Sequence, residues 1–96
     1  MEQIHRICEM ETIFRETSAS LSRLSGALED YTALLPQLEK LIAYYDSPDW
    51  RVDYADDEAG QLPPDLPRGV LSQDGIWNLL TEQRRLLDQM TELIQK

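Results

Sequence analysis

Residues 7–45, ICEMETIFRETSASLSRLSGALEDYTALLPQLEKLIAYY, carry apolar side chains at alternating steps of three and four. This spacing is the a/d pattern of a heptad repeat, and it predicts a long amphipathic helix. Only Thr17 departs from the apolar type. We call the a and d positions of this helix the apolar stripe: Ile7, Met10, Phe14, Thr17, Leu21, Leu24, Leu28, Tyr31, Leu35, Leu38, Ile42 and Tyr45. Further apolar residues flank the stripe, which is typical of a packed bundle: Ile4, Ile13, Leu34 and Leu41.

Pro36 lies inside this repeat. A proline in a helix interior removes one backbone hydrogen bond and crowds the preceding turn, at a cost of about 3 kcal/mol. It can therefore bend one helix or open a second one. The heptad phase is the same on both sides of Pro36, and no glycine lies between Gly26 and Gly60. We predict a kink with helix on both sides, and a full break is the alternative.

Three shorter elements are predicted after the long helix. Ser47-Pro48-Asp49 has the order of an N-cap, a first-turn proline and a first-turn acid, so a short acidic helix should begin there and end near Gly60. Residues 61–71 contain three prolines and predict an extended, ordered connector. Ser72 can cap a last helix, with Leu71 and Ile76 forming a hydrophobic staple. The apolar residues expected to anchor the connector are Leu62, Leu66, Val70 and Leu71.

These elements predict an all-α protein with one domain over residues 1–96. Its expected form is a small helical bundle: a long N-terminal helix kinked near Pro36, a short acidic helix, an extended proline-rich connector and a C-terminal helix. A straight long helix would run about 60 Å, roughly twice the length of the last one. Part of the apolar stripe therefore needs another cover. Bending at Pro36 is one solution, and a homodimer through residues such as Phe14, Leu21 and Leu28 is the other.

Charge and composition exclude several classes of protein. The 96 residues include 18 acids and 9 bases, for a formal net charge of −9, and the excess is greatest over residues 46–71. Acidic surface disfavours direct binding to nucleic acid and to anionic membranes. No apolar run is long enough to cross a bilayer, and Cys8 is the only cysteine. With no secretory signal visible, we expect a cytoplasmic protein without an internal disulfide.

No catalytic constellation is predicted. His5 is the only histidine, and it has neither a nucleophile nor a second metal ligand at an evident spacing. Acidic residues surround Cys8, so a reactive thiolate is not expected there. The acidic run over residues 53–58 lacks the alternating oxygen ligands and central glycine of a calcium-binding loop. We therefore expect no enzymatic activity, no cofactor and no metal site.

Four of the seven aromatic residues fall within eleven positions, interleaved with aspartates. They are Tyr44, Tyr45, Trp50 and Tyr54. The structural interpretation is a cap over one end of the bundle, with the polar tips of the rings bonded at its rim. The functional interpretation is an aromatic hot-spot patch for a partner protein. We expect Trp50 and Trp77 to be at least half buried and the acidic helix to face solvent. The candidate partner surface consists of Trp50, Asp53, Tyr54, Asp56 and Asp57.

Several unusual motifs are similar to those of a known family. The start MEQI-x-RI-x-EME, the segment LIAYYDSPDWRVDY and the segment DDEAGQLPPDLPRGVLSQDGIWNLL resemble small bacterial proteins grouped as a domain of unknown function, DUF4298. The resemblance covers essentially the whole chain. It implies an all-helical bacterial protein. It implies no activity, substrate or catalytic residue.

The sequence favours a non-enzymatic protein-interaction module that uses the acidic and aromatic surface together with the apolar stripe. The alternative is an acidic inhibitor or nucleic-acid mimic that occupies a basic groove on another protein. Carboxylates arranged in rows across one face would favour mimicry. A buried aromatic patch would weaken the simple form of the interaction-module hypothesis.

Overall fold

The computed structural model describes all 96 residues and contains three α-helices and no strand. Helix α1 spans Glu2–Tyr45, α2 spans Pro48–Glu58 and α3 spans Gly75–Ile94, and a single 3₁₀ turn covers Gly69–Leu71. The all-α prediction is confirmed, as is the order of a long helix, a short acidic helix, a connector and a C-terminal helix.

Helix α1 continues through Pro36. Because proline has no amide hydrogen, the carbonyl of Thr32 receives no helix bond from position 36. The alternative of a full break, with Pro36 opening a second helix, is not observed. The unchanged heptad phase on the two sides of the proline was the signal that predicted this outcome.

The contacts divide the chain into two units, Met1–Leu38 and Glu39–Lys96. The first unit consists of the N-terminal part of α1 alone, and no residue of α1 is buried. In the whole chain the one buried hydrophobic residue is Leu71, at 7% exposure, in the 3₁₀ turn. The helical bundle expected from the sequence therefore has very little core within one chain.

Local signals set the bounds of α2 in the second unit. The Ser47 hydroxyl accepts a hydrogen bond from the Trp50 amide at 3.4 Å and donates one to the Tyr44 carbonyl at 2.6 Å. At the other end Gly60 has a φ of +72°, a conformation that side chains with a Cβ rarely adopt. The amides of Gly60 and Gln61 bond back to the carbonyls of Asp57 and Asp56, which is the Schellman pattern. The predicted cap and terminator are both in place.

Helix α3 differs from the prediction in two respects. It begins at Gly75 with Asp74 as its N-cap residue, because Ser72 stabilises a turn ahead of the helix. The Ser72 hydroxyl accepts from the Asp74 amide at 3.3 Å, and its carbonyl accepts from the Gly75 amide at 3.2 Å. The expectation that Trp77 would be half buried is wrong, since its side chain is 69% exposed on the first turns of α3.

Candidate functional site

The four clustered aromatic residues form a continuous row of ring contacts in the second unit. Tyr44 meets Tyr45 edge-on with 6.0 Å between ring centroids, Tyr45 lies 5.4 Å from Trp50, and Trp50 stacks on Tyr54 at 5.1 Å. Trp50 and Tyr54 are one turn apart on α2, so their side chains share a face of that helix. The row connects the end of α1 to α2. All four residues are partly buried, which confirms the prediction for Trp50.

Hydrogen bonds within the chain occupy two polar tips of this row. The Trp50 indole Nε1–H donates to the Val70 carbonyl at 2.8 Å, and the Tyr44 hydroxyl donates to Asp53 Oδ2 at 2.7 Å. The first bond attaches the 3₁₀ turn to α2, and the second attaches the end of α1 to α2. This arrangement favours the structural interpretation of the aromatic residues over the hot-spot interpretation.

Arg68 holds the connector against α2. Its guanidinium donates to Asp57 Oδ1 at 2.8 Å, to the Pro64 carbonyl at 3.0 Å and to the Pro63 carbonyl at 2.9 Å. The Pro63 carbonyl also accepts a backbone hydrogen bond from the Leu66 amide at 3.2 Å, which closes a turn within the connector. One planar side chain with several donors serves both carbonyls and the carboxylate. This role of Arg68 was not predicted from the sequence. The available signal was an arginine among three prolines, placed after a helix with a carboxylate in its last turn.

The acidic helix faces solvent only in part. Asp56 is exposed, whereas Asp53 and Asp57 are partly buried and bonded to Tyr44 and Arg68. Their i,i+4 spacing places both carboxylates on the same face of α2, and that face contacts the rest of the unit. The expectation that all three aspartates face solvent is therefore corrected for Asp53 and Asp57.

The bond between Tyr44 and Asp53 has a consequence at high pH. The hydrogen bond to Asp53, burial and the nearby aspartate charges raise the pKa of Tyr44 from its usual value near 10 to about 12. A group with a raised pKa stabilises the fold below its unfolded pKa, and the contribution is lost as the pH rises through the folded pKa. We expect the thermal midpoint of the wild type to fall between pH 10 and pH 12.

The control for this prediction is Tyr44→Phe, which keeps the ring and removes the ionising group. The variant should be less stable than the wild type at pH 8 but should lose less stability between pH 10 and pH 12. A residual loss is expected in both proteins, since burial also raises the pKa of Tyr45. Melting curves followed by circular dichroism measure the difference. Parallel curves for the two proteins across this pH range would contradict the role of Tyr44.

The apolar stripe of the first unit has a different character from the aromatic row. From Ile7 to Leu35 its members are exposed, Phe14 by 69%, Leu21 by 60% and Leu28 by 39%. A shallow groove at the N-terminal end of the stripe is lined by Arg6, Ile7, Met10, Glu11 and Phe14. The positive charge of Arg6 and the negative charge of Glu11 therefore lie on the two borders of the apolar stripe.

The remaining candidates for chemistry are exposed and isolated. Cys8 is a free, exposed thiol, and His5 is exposed one turn earlier on α1. No group of three histidine, cysteine, aspartate or glutamate side chains lies close enough together to hold a metal ion. None of the helices combines the length and apolar character needed to span a membrane.

Comparison with known proteins identifies the family. The model of the family described as a domain of unknown function, DUF4298, matches residues 7–93, and the chain belongs to that family. The matched range includes the apolar stripe, α2, the connector and nearly all of α3. No curated protein and no solved structure matches the chain.

Proposed function

We propose that this member of the DUF4298 family is a non-enzymatic interaction module of the bacterial cytoplasm that binds a helical protein surface through the apolar stripe of α1. The observation that carries the proposal is the exposure of that stripe from Ile7 to Leu35, in a helix of 44 residues in which no residue is buried. Soluble proteins seldom expose a contiguous apolar surface of this extent unless another molecule covers it.

The lack of packing against the N-terminal part of α1 supports the same proposal. Helices in proteins obtain most of their stability from packing an apolar face against other elements. Residues 1–38 form a unit with no buried residue of their own. A partner that covers the stripe would supply the missing packing. Side chains spaced by three and four form ridges on α1, and such ridges pack into the grooves of another helix that has an apolar face.

The acidic and aromatic surface is better suited to holding the second unit together. A hydrogen bond inside that unit already occupies one polar atom of each of Trp50, Asp53 and Asp57. Asp56 and Tyr54 remain available at its surface as secondary contacts. A row of free carboxylates across one face, which a nucleic-acid mimic needs, is not formed by α2. Binding through the apolar stripe is therefore favoured over nucleic-acid mimicry by α2.

A position-specific crosslink tests the proposal. Phe14 is replaced by the photoreactive residue benzoylphenylalanine in the full chain, at native expression level in its own host. We expect an adduct whose crosslinked peptide, mapped by mass spectrometry, comes from an apolar helical seam. The matched control carries the same residue at Ala19, on the opposite face of α1, and should give none. Equal labelling at the two positions, or no adduct at Phe14, would refute the proposed function.

A further inference from the structure

We infer that the surface covering the apolar stripe is the same stripe of a second copy of this chain, aligned parallel and in register. This inference rests on the proposed function and names its partner. It is carried by the positions of the charged residues beside the stripe, by the residues that line the groove at its N-terminal end and by the length of the seam.

The charges select the orientation. With Ile7 at position a, the only charged residue at a g position of the first unit is Arg6, and the only one at an e position is Glu11. When two chains are parallel and in register, each g position lies opposite the e position that is five residues later in the partner. Each dimer would therefore contain two symmetric pairs between Arg6 of one copy and Glu11 of the other. Within one chain Glu11 reaches only Arg15, at 3.7 Å and largely in solvent, and Arg6 makes no ion pair.

An antiparallel alignment cannot form these pairs. It places e opposite e and g opposite g, whatever the register. Glu11 could then face only another glutamate or an uncharged residue, and Arg6 could face only another arginine or an uncharged residue. The charge pattern thus distinguishes the two orientations without any assumption about where the helices cross.

The groove at the N-terminal end of the stripe has the composition of a coiled-coil hole. A side chain at position d packs into a hole formed by the a, d, e and following a residues of its partner. Ile7, Met10, Glu11 and Phe14 are those four residues, and they line the groove together with Arg6. Met10 of the second copy is the side chain that fits there.

The size of the seam is sufficient for a stable dimer. Specific interfaces need roughly 800 Å² and 20–30 residues from each partner. The a, d, e and g positions from Ile4 to Leu38 supply about twenty residues, most of them apolar or small. Small side chains near the middle of the helix let two such helices approach closely: Ser18, Ser20, Ser25 and Ala27.

A charge-reversal experiment on the full chain tests the parallel register. Arg6→Glu alone and Glu11→Arg alone should each weaken homodimer formation by about tenfold, because both pairs become repulsive. An equimolar mixture of the two variants should form mostly heterodimer, since each pair is then attractive. The doubly substituted chain should recover homodimer affinity. Native mass spectrometry and sedimentation equilibrium measure these populations.

Arg23→Glu is the matched control, because it makes the same charge change at an exposed c position and should leave affinity unchanged. A statistical mixture of homodimers and heterodimers would overturn the inference. So would a dimer insensitive to Arg6→Glu, which would indicate the antiparallel orientation. If the wild type is monomeric and the Phe14 crosslink captures a helix of another protein, the inference fails and the proposed function stands. If the Phe14 crosslink forms no adduct, both fail.

Discussion

Leu21→Glu is expected to weaken self-association by at least about 100-fold and to lower the helicity of the chain. Leu21 occupies an a position in the middle of the apolar stripe and is 60% exposed in the single chain. In the proposed dimer the substitution places two unpaired carboxylates opposite each other in an apolar seam. Leaving an uncompensated charge buried costs about 3–5 kcal/mol, which corresponds to a loss of two to four decades in affinity. Sedimentation equilibrium gives the affinity, and circular dichroism gives the helicity.

Ala19→Glu provides the control for this result, because it introduces the same side chain at an exposed position on the opposite face of α1. Its dimer affinity should match that of the wild type. The second unit of the Leu21→Glu protein should remain folded, since the aromatic row lies wholly within residues 39–96. Equal affinity for the two variants would show that the stripe is not the interface.

Gly75→Ala is expected to destabilise the second unit by about 1–3 kcal/mol. A Cβ at this position would lie 2.8 Å from the backbone oxygen of Gly69 and 3.3 Å from the Tyr45 hydroxyl. The Gly69 oxygen belongs to the 3₁₀ turn and cannot rotate away as a flexible side chain could. Either the turn or the start of α3 must move, and movement of the turn would strain the bond from Trp50 to Val70.

Gly26→Ala is the matched glycine-to-alanine substitution, and it should have the opposite effect on stability. Gly26 lies inside α1 with open space around its Cβ direction, so alanine should stabilise the helix by about 1 kcal/mol. Urea unfolding followed by tryptophan fluorescence measures the second unit, and helicity measures α1. A Gly75→Ala protein as stable as the wild type would show that the close approach of the 3₁₀ turn to α3 has no energetic importance.

The elements that could be predicted from the sequence are those with local causes. The heptad phase predicted that helix continues on both sides of Pro36. The order Ser47-Pro48-Asp49 predicted the start of α2, and Gly60 predicted its end. Each of these signals lies close in sequence to the backbone segment whose conformation it determines. Tertiary contacts are therefore not needed to predict these elements.

The features that could not be predicted depend on contacts between segments distant in sequence. The i,i+4 spacing places Asp53 and Asp57 on one face of α2, but no local signal indicates that this face meets Tyr44 and Arg68. Trp77 was expected to be at least half buried, yet the single chain offers no core that reaches it. Ser72 resembled an N-cap, and only the turn that it stabilises shows why the N-cap is Asp74, two residues later.

The mass of the wild-type protein in solution tests the central claim most directly. Light scattering over a concentration series from below to above micromolar should show the 11.1 kDa chain converting to a species of twice that mass. Helicity should rise over the same range, because α1 gains its packing on association. A constant monomer mass over the whole series would contradict self-association through the stripe.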